Sequence, residues 1–228
     1  MSLMKFKNIF FDFLKVLLWV VIFYSGSLYA DGYLFLNLQN YQPAANNFSP
    51  YFFERNSVTG DLVKVIDTDN SFQFKTYNLK LGADGIGSYR AEVRPVLLEW
   101  EKKVNPFEDD SDSSYLSGSL ARNIEAELQE DLAVEVHIAI YKGRIEAISY
   151  VQNTTAEAPE IETIIANPWG MTEDQTSHVK GAGSSLLDNV LTDFKNRGAQ
   201  KVQLYSVKDR YYLDRGWQRG SSDQGACE

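Results

Sequence analysis

The chain has 228 residues, of which 44% are hydrophobic, 13% aromatic and 23% charged; that fills one ordinary domain and argues against wholesale disorder. Its net charge of −9 disfavours nucleic acid and anionic membrane surfaces, which call for clustered Lys and Arg. The single cysteine, Cys227, excludes an intrachain disulfide and a Cys-based zinc site, and with His137 and His178 the only histidines a metal enzyme is not expected.

The first element in chain order is a targeting segment. Lys5 and Lys7 precede an uninterrupted apolar run, Val16 to Tyr24 (VLLWVVIFY), and small residues follow in SGSLYA. This is the pattern of a signal peptide cleaved after Ala30, with an uncleaved membrane anchor or a buried helix as alternatives. The run is shorter than the ~20 residues of a spanning helix. Residues 1–30 hold three lysines and one aspartate, so their removal takes the net charge to −11. An exported or secreted protein is expected, or a membrane-anchored one if the segment stays; membrane contact is expected only in that second case.

Signals are weak from Ala30 to about Asn70, where YLFLNL suits a strand and NYQPAANNFSP a loop. Phe72 to Leu81 alternates as a strand, and GADGIGS breaks it. Tyr89 to Val104 has helical spacing, with Pro95 starting or kinking the helix. NPFEDDSDSS reads as an acidic surface loop. Ser117 to Asp131 reads as a helix that starts at its serine and carries Leu120, Ile124 and Leu128 on one stripe.

Val134 to Tyr141 and Arg144 to Val151 alternate on either side of Lys142-Gly143, a β-hairpin, with His137 a half-buried strand residue. Glu160 to Ala166 is a strand closed by Asn167-Pro168, and the polar loop PWGMTEDQTSHVK follows. The next helix carries Leu186, Leu187, Val190, Leu191 and Phe194 on one face and stops at Gly198. Lys201 to Val207 is a strand, and Asp209 to Arg215 a short helix ended by Gly216. Helix, hairpin, strand, helix, strand, helix predicts an α/β (α+β) domain with a mixed, mostly antiparallel sheet flanked by helices.

The stretch HVKGAGSSLLDNVLTDF places residues of little bulk before a strongly periodic helix. A helix start presents unpaired N–H groups and about half a positive charge. Gly181 and Gly183 have no Cβ to keep a ligand away. Val179, Lys180, Gly181, Ala182, Gly183 and Ser184 thus offer a row of amides to a phosphate or pyrophosphate, with Ser184 and Ser185 hydroxyls and the Lys180 cation nearby. Neither GxxxxGK[ST] nor the dinucleotide fingerprint fits the stretch.

His178 to Gly183 (HVKGAG) resembles the (Q/R)-x-x-G-x-(G/A) loop of the GCN5-related N-acetyltransferase (GNAT) superfamily, with His178 where Gln or Arg is usual. IIANP resembles the end of that family's fourth strand, RGAQKVQLYSV its fifth strand, and Tyr211 to Trp217 (YYLDRGW) its "F-Y-E-K-L-G-F" segment. The likeness covers roughly Ser117 to Gln218. With the N-terminal run, the chain is organised as a signal peptide or membrane anchor over 1–30, a poorly recognised N-terminal part of the domain or an extension over 31–116, and, as the resemblance implies, an acyl-CoA-binding core over 117–228.

The resemblance also implies a function: transfer of an acetyl group from acetyl-CoA, as cosubstrate, to an amine on a small molecule or protein. The backbone of Ile165 and Ala166 would meet the pantetheine, and Val179 to Ser184 the pyrophosphate. Residues 164–168 and 201–207 should be neighbouring strands that diverge near Ala166 and Ser206. Tyr212 matches the family's acid for the leaving thiolate, and Glu162 is placed like a glutamate base; their plain structural alternatives are a core aromatic and a solvent-facing strand carboxylate. Only 11 residues follow Trp217, fewer than two closing strands require. A secretory signal also sits awkwardly with a cytosolic cosubstrate, which leaves an exported, non-catalytic GNAT-like binding protein as the alternative.

Overall fold

The computed structural model describes residues 32–42, 49–80, 84–103, 111–128, 133–172, 174–206 and 209–219; the signal-like segment 1–30 lies outside them. The chain divides into Met1–Gly32 and a compact unit, Tyr33–Glu228, that holds the sheet. No helix among the described residues is long and apolar enough to cross a membrane.

Nine strands are described: β1 (Gly32–Asn37), β2 (Tyr51–Arg55), β3 (Leu62–Ile66), β4 (Gln73–Asn78), β5 (Glu135–Tyr141), β6 (Arg144–Gln152), β7 (Glu160–Ala166), β8 (Lys201–Ser206) and β9 (Gln218–Arg219). Seven form one sheet in the order β4-β5-β6-β7-β8-β1-β9, and β2 and β3 form a separate hairpin. Pairings β4–β5, β5–β6, β6–β7 and β1–β9 are antiparallel, while β7–β8 is parallel. The expected mixed, mostly antiparallel sheet is therefore present.

Two helical layers cover it. One face meets α5 (Ala182–Asn196), whose Leu186, Leu187, Val190, Leu191 and Phe194 pack on Leu34, Leu36, Ile161, Val202 and Leu204. The other face meets α1 (Gly85–Ser88), α2 (Arg94–Glu101) and α3 (Ser111–Glu127). Their side of the core joins Leu97, Trp100, Leu120 and Ile124 to Val136, Ile148, Tyr150 and Ile165. Strands covered on both faces bury nearly every side chain, so His137 is 1% exposed rather than half-buried.

Several elements depart from the sequence expectation for local reasons. β4 ends at Asn78, and the last four residues of GADGIGS, Gly85–Ser88, already form α1. The backbone then widens into a π-helical turn, Tyr89–Val93, and Pro95 follows it directly, in the first turn of α2. Helix α3 begins at Ser111, so the tail of the expected acidic loop is helical and Ser117 is interior. The Ser117 hydroxyl satisfies itself by donating to the Ser113 carbonyl at 2.6 Å. PWGM forms a short helix, α4 (Pro168–Met171), capped by Asn167. The β2–β3 hairpin was not anticipated; most of its side chains are exposed, so no alternation marks it.

Strands β1 and β9 pair antiparallel. Gln218 and Arg219 pair with Phe35 and Leu34, and β1 stands between β8 and β9.

Candidate functional site

The β7–β8 ladder has two rungs, Glu160 with Gln203 and Ile161 with Leu204. β7 runs on to Ala166 and β8 to Ser206 without further pairing, so the strands part at Glu162, earlier than the expected Ala166. The cause is visible on the other edge of β7. There the register steps from Tyr150–Thr163 to Val151–Ile161 and leaves Glu162 opposite no residue. A bulge of this kind bends its strand and raises the local twist.

The freed edge presents main-chain groups. Asn167 N–H donates to the Glu146 carbonyl at 2.9 Å, and Ile165 lies opposite Ile148 in the same register. Backbone groups alternate in direction along a paired strand. Those of Ile165 therefore turn toward β6, and those of Ile164 and Ala166 toward the opening. Of the two residues expected to meet a pantetheine, Ala166 turns its main-chain groups to the opening, whereas Ile165 turns its own to β6 and buries its side chain in the core.

Helix α5 starts beside this edge. Gly181 is its N-cap with φ +95°, and the first intrahelical bond runs from Ser185 N–H to the Gly181 carbonyl. The N–H groups of Ala182, Gly183 and Ser184 have no acceptor among the described residues. Lys180 departs from the expected row: its N–H donates to the Tyr51 carbonyl at 2.8 Å, and its carbonyl accepts from Tyr51 N–H at 3.3 Å. The Lys180 side chain lies with its ammonium 5.9 Å from the Phe53 ring centre, and Val179 is buried in the core.

The two glycines differ. A Cβ on Gly183 would sit 3.7 Å from the Ala166 Cβ, an ordinary contact, so glycine there holds open the space between helix and strand edge. A Cβ on Gly181 would lie 3.3 Å from the Ser49 carbonyl oxygen on a left-handed backbone. Gly181→Ala is accordingly expected to destabilise the fold by about 1–2 kcal/mol, measured by urea unfolding with Gly183→Ala as the milder comparison.

From Gly181 a cleft of about 620 Å³ extends along α5, lined by Ser184, Asp188, Tyr51, Lys64 and Arg215 among others. Helix α6 (Asp209–Leu213) forms one wall, where Tyr211 shares a 2.8 Å hydrogen bond with Ser184 and lies 3.7 Å beneath the Arg215 guanidinium. Tyr212 packs edge-on to Tyr211 at 4.9 Å and Trp217 at 5.6 Å. Burial, with a smaller effect of Tyr211, pushes its pKa up to about 12, so its proton stays on at neutral pH.

Glu162 stands on the opposite face. Gln152 Nε2 donates to Glu162 at 2.7 Å and to Glu127, the last residue of α3, at 3.0 Å; the Tyr150 hydroxyl also donates to Glu127. Burial first, then the charges of Glu127 and Glu160, raise the Glu162 pKa to about 7 against the Gln152 bond. No sequence pattern flags Glu127 and Gln152, since they reach Glu162 from two other elements. A folded pKa above the ordinary 4.5 means that the stability contributed by this group is complete below that value and lost as pH rises through about 7. Glu162→Gln should therefore gain stability relative to the parent between pH 5 and pH 8; a pH-independent difference in melting temperature would contradict this.

Tyr212 and Glu162 thus occupy opposite faces, and only a molecule passing through the β7–β8 opening can meet both. Away from the opening, Glu135, His137 and Asp193 bring three possible ligand atoms within 4.8 Å of one another. Arg197 already binds both Glu135 oxygens at 2.8 Å there.

A parallel strand pair that opens beside a helix start is the arrangement implied by the sequence resemblance. The fold is a mixed, mostly antiparallel sheet flanked by helices. No family model matches the chain, and no curated protein sequence matches it. Among solved structures it is similar to a functionally unknown conserved protein from Staphylococcus epidermidis ATCC 12228, with 16% identity, 68% of this chain and 52% of that chain covered, and a TM-score of 0.37. A tandem GNAT protein from the clavulanic acid biosynthesis pathway shares 10% identity over 82% of this chain and 49% of its own, at a TM-score of 0.41. A ribosomal-protein-alanine N-acetyltransferase from Brucella melitensis biovar Abortus 2308 shares 14% identity over 70% and 98%, at a TM-score of 0.40. The chain spans about half the length of the first two.

Proposed function

We propose that the chain is an acyl-CoA-dependent N-acetyltransferase that moves an acetyl group from acetyl-CoA to a primary amine. The observation that carries the reading is the β7–β8 pair, which opens after two rungs beside three unspent helix amides. An extended chain with amide groups can pair with the Ile164–Ala166 edge as an added strand, and a pyrophosphate suits the N–H groups of Ala182, Gly183 and Ser184. Lys64 and Arg215 offer the adjoining cleft two cations for phosphate, and the rings of Tyr51 and Tyr211 two faces for a base, beside the carboxylates of Asp188 and Asp214.

Acetyl-CoA supplies the thioester. Glu162, deprotonated above about pH 7, accepts the proton of the incoming ammonium, directly or through water. Tyr212 holds a proton for the departing sulfur. The rate should climb with pH through about 7 in the parent, and this limb should disappear in Glu162→Gln. The test is release of free CoA thiol from acetyl-CoA by the full chain, screened against peptides, polyamines and small amines.

The Tyr51–Lys180 bridge favours a second reading, an exported non-catalytic binding protein, because it spends an amide of the loop and leans Ser49 and Tyr51 on Gly181. Absence of both CoA binding and thiol release would select it.

A further inference from the structure

The face of β8 and β1 that turns away from α5 has no described helix upon it. Lys201, Gln203 and Tyr205 project there from β8 and Tyr33 and Phe35 from β1, because their neighbours Val202, Leu204, Leu34 and Leu36 all point into the α5 core. Tyr33 is 47% and Tyr205 48% exposed, and their rings meet edge to face at 5.8 Å. Such exposed rings, lying side by side, offer a surface on which a cation with an aliphatic body can rest.

The surroundings of this platform are anionic. Glu160 and Glu162 project beside it from β7, close enough that, after burial, their charges help to raise the Tyr33 pKa. Glu127 borders it from the end of α3. The partners of all three carboxylates are neutral: Gln203 at 3.0 Å and the Tyr33 hydroxyl for Glu160, Gln152 for Glu162, and Gln152 with Tyr150 for Glu127. No Lys or Arg forms an ion pair with any of them among the described residues. The cation on this face, Lys201, lies over Phe35 with its ammonium 5.8 Å from the ring centre.

We propose that this sheet face, with Tyr33 and Tyr205 as its floor and Glu160 and Glu162 as its wall, binds a small aliphatic polycation, ammonium groups joined by methylene spacers. Charge complementarity names the occupant: Glu160 and Glu162 along one strand, without a described cationic partner, match the spaced positive charges of one chain, and the rings accept the methylenes between them. The identification of the polycation as the acetyl acceptor rests on the reading above, since the β7–β8 opening leads from this face to the helix start. The binding itself does not rest on it. In this arrangement strand β1 contributes a specificity residue, Tyr33, from its place between β8 and β9.

The test is calorimetric titration of the full chain with spermidine in the absence of CoA, with 1-butanol and a lysine-containing tetrapeptide as comparisons. Saturable spermidine binding is expected, weakened at least tenfold in Tyr205→Leu and in Glu160→Gln, with no binding of the alcohol. Tyr205 is a surface residue, so Tyr205→Leu keeps the test open if Tyr33→Leu fails to fold. No saturable spermidine binding, equal binding by the parent and both variants, or tighter binding of the tetrapeptide would overturn the proposal. A parallel CoA titration separates the two readings: spermidine binding without CoA binding keeps this site and removes acetyl transfer, and the reverse removes this site alone.

Discussion

Tyr212→Phe is expected to slow acetyl transfer by about 10²–10⁴-fold, the usual contribution of a general acid, with CoA affinity and melting temperature nearly unchanged. The ring of Tyr212 is held edge-on by Tyr211 and Trp217, and phenylalanine preserves those contacts. The hydroxyl makes no hydrogen bond to a described residue, so its removal leaves no protein group unpaired. The same burial that raises its pKa to about 12 keeps the proton available across neutral pH. Loss of turnover without loss of stability separates an acid from a core aromatic. Full activity in a folded Tyr212→Phe protein would assign Tyr212 to packing alone.

Gly183→Val is expected to weaken CoA binding at least tenfold, about 1.4 kcal/mol. Its backbone is helical, and the first added atom meets only the Ala166 Cβ at 3.7 Å. The branches beyond it fill the gap between the α5 start and the β7 edge, where a ligand must lie to reach both sets of main-chain groups. Gly183→Ala should lose much less. Substituting Gly181 would confuse the measurement, because the positive φ there makes any side chain a folding defect. Unchanged CoA affinity in folded Gly183→Val would contradict the assignment.

What the sequence reveals follows what side chains can report. The hairpin around Lys142-Gly143 is legible because both residues take the positive φ of a tight turn, 48° and 77°. The α5 stripe is legible because five apolar side chains meet one core. The β2–β3 hairpin is not, since its exposed residues carry no alternation. The bulge at Glu162 is a pairing event between two strands, and EIETIIA reads as a regular strand without its partner. Main-chain consequences of the bulge, the turning of Ile164 rather than Ile165 to the opening, were hidden for the same reason. So was the Tyr51–Lys180 bridge, which joins backbone groups well over a hundred positions apart. The loop residues Gly181, Ala182, Gly183 and Ser184 were recognisable because smallness is itself a side-chain property. Glu127 and Gln152, brought to Glu162 by the fold alone, were not.

Backbone amide NMR of the ¹⁵N-labelled full chain, titrated with CoA, tests most directly whether the opening between β7 and β8 binds acyl-CoA. Saturable shifts are expected at Ala182, Gly183 and Ser184 and at Ile164 and Ala166, while the Ile165 amide, bonded toward β6, should move less. Shifts absent from all five, or confined to residues remote from the opening, would contradict the acyl-CoA assignment.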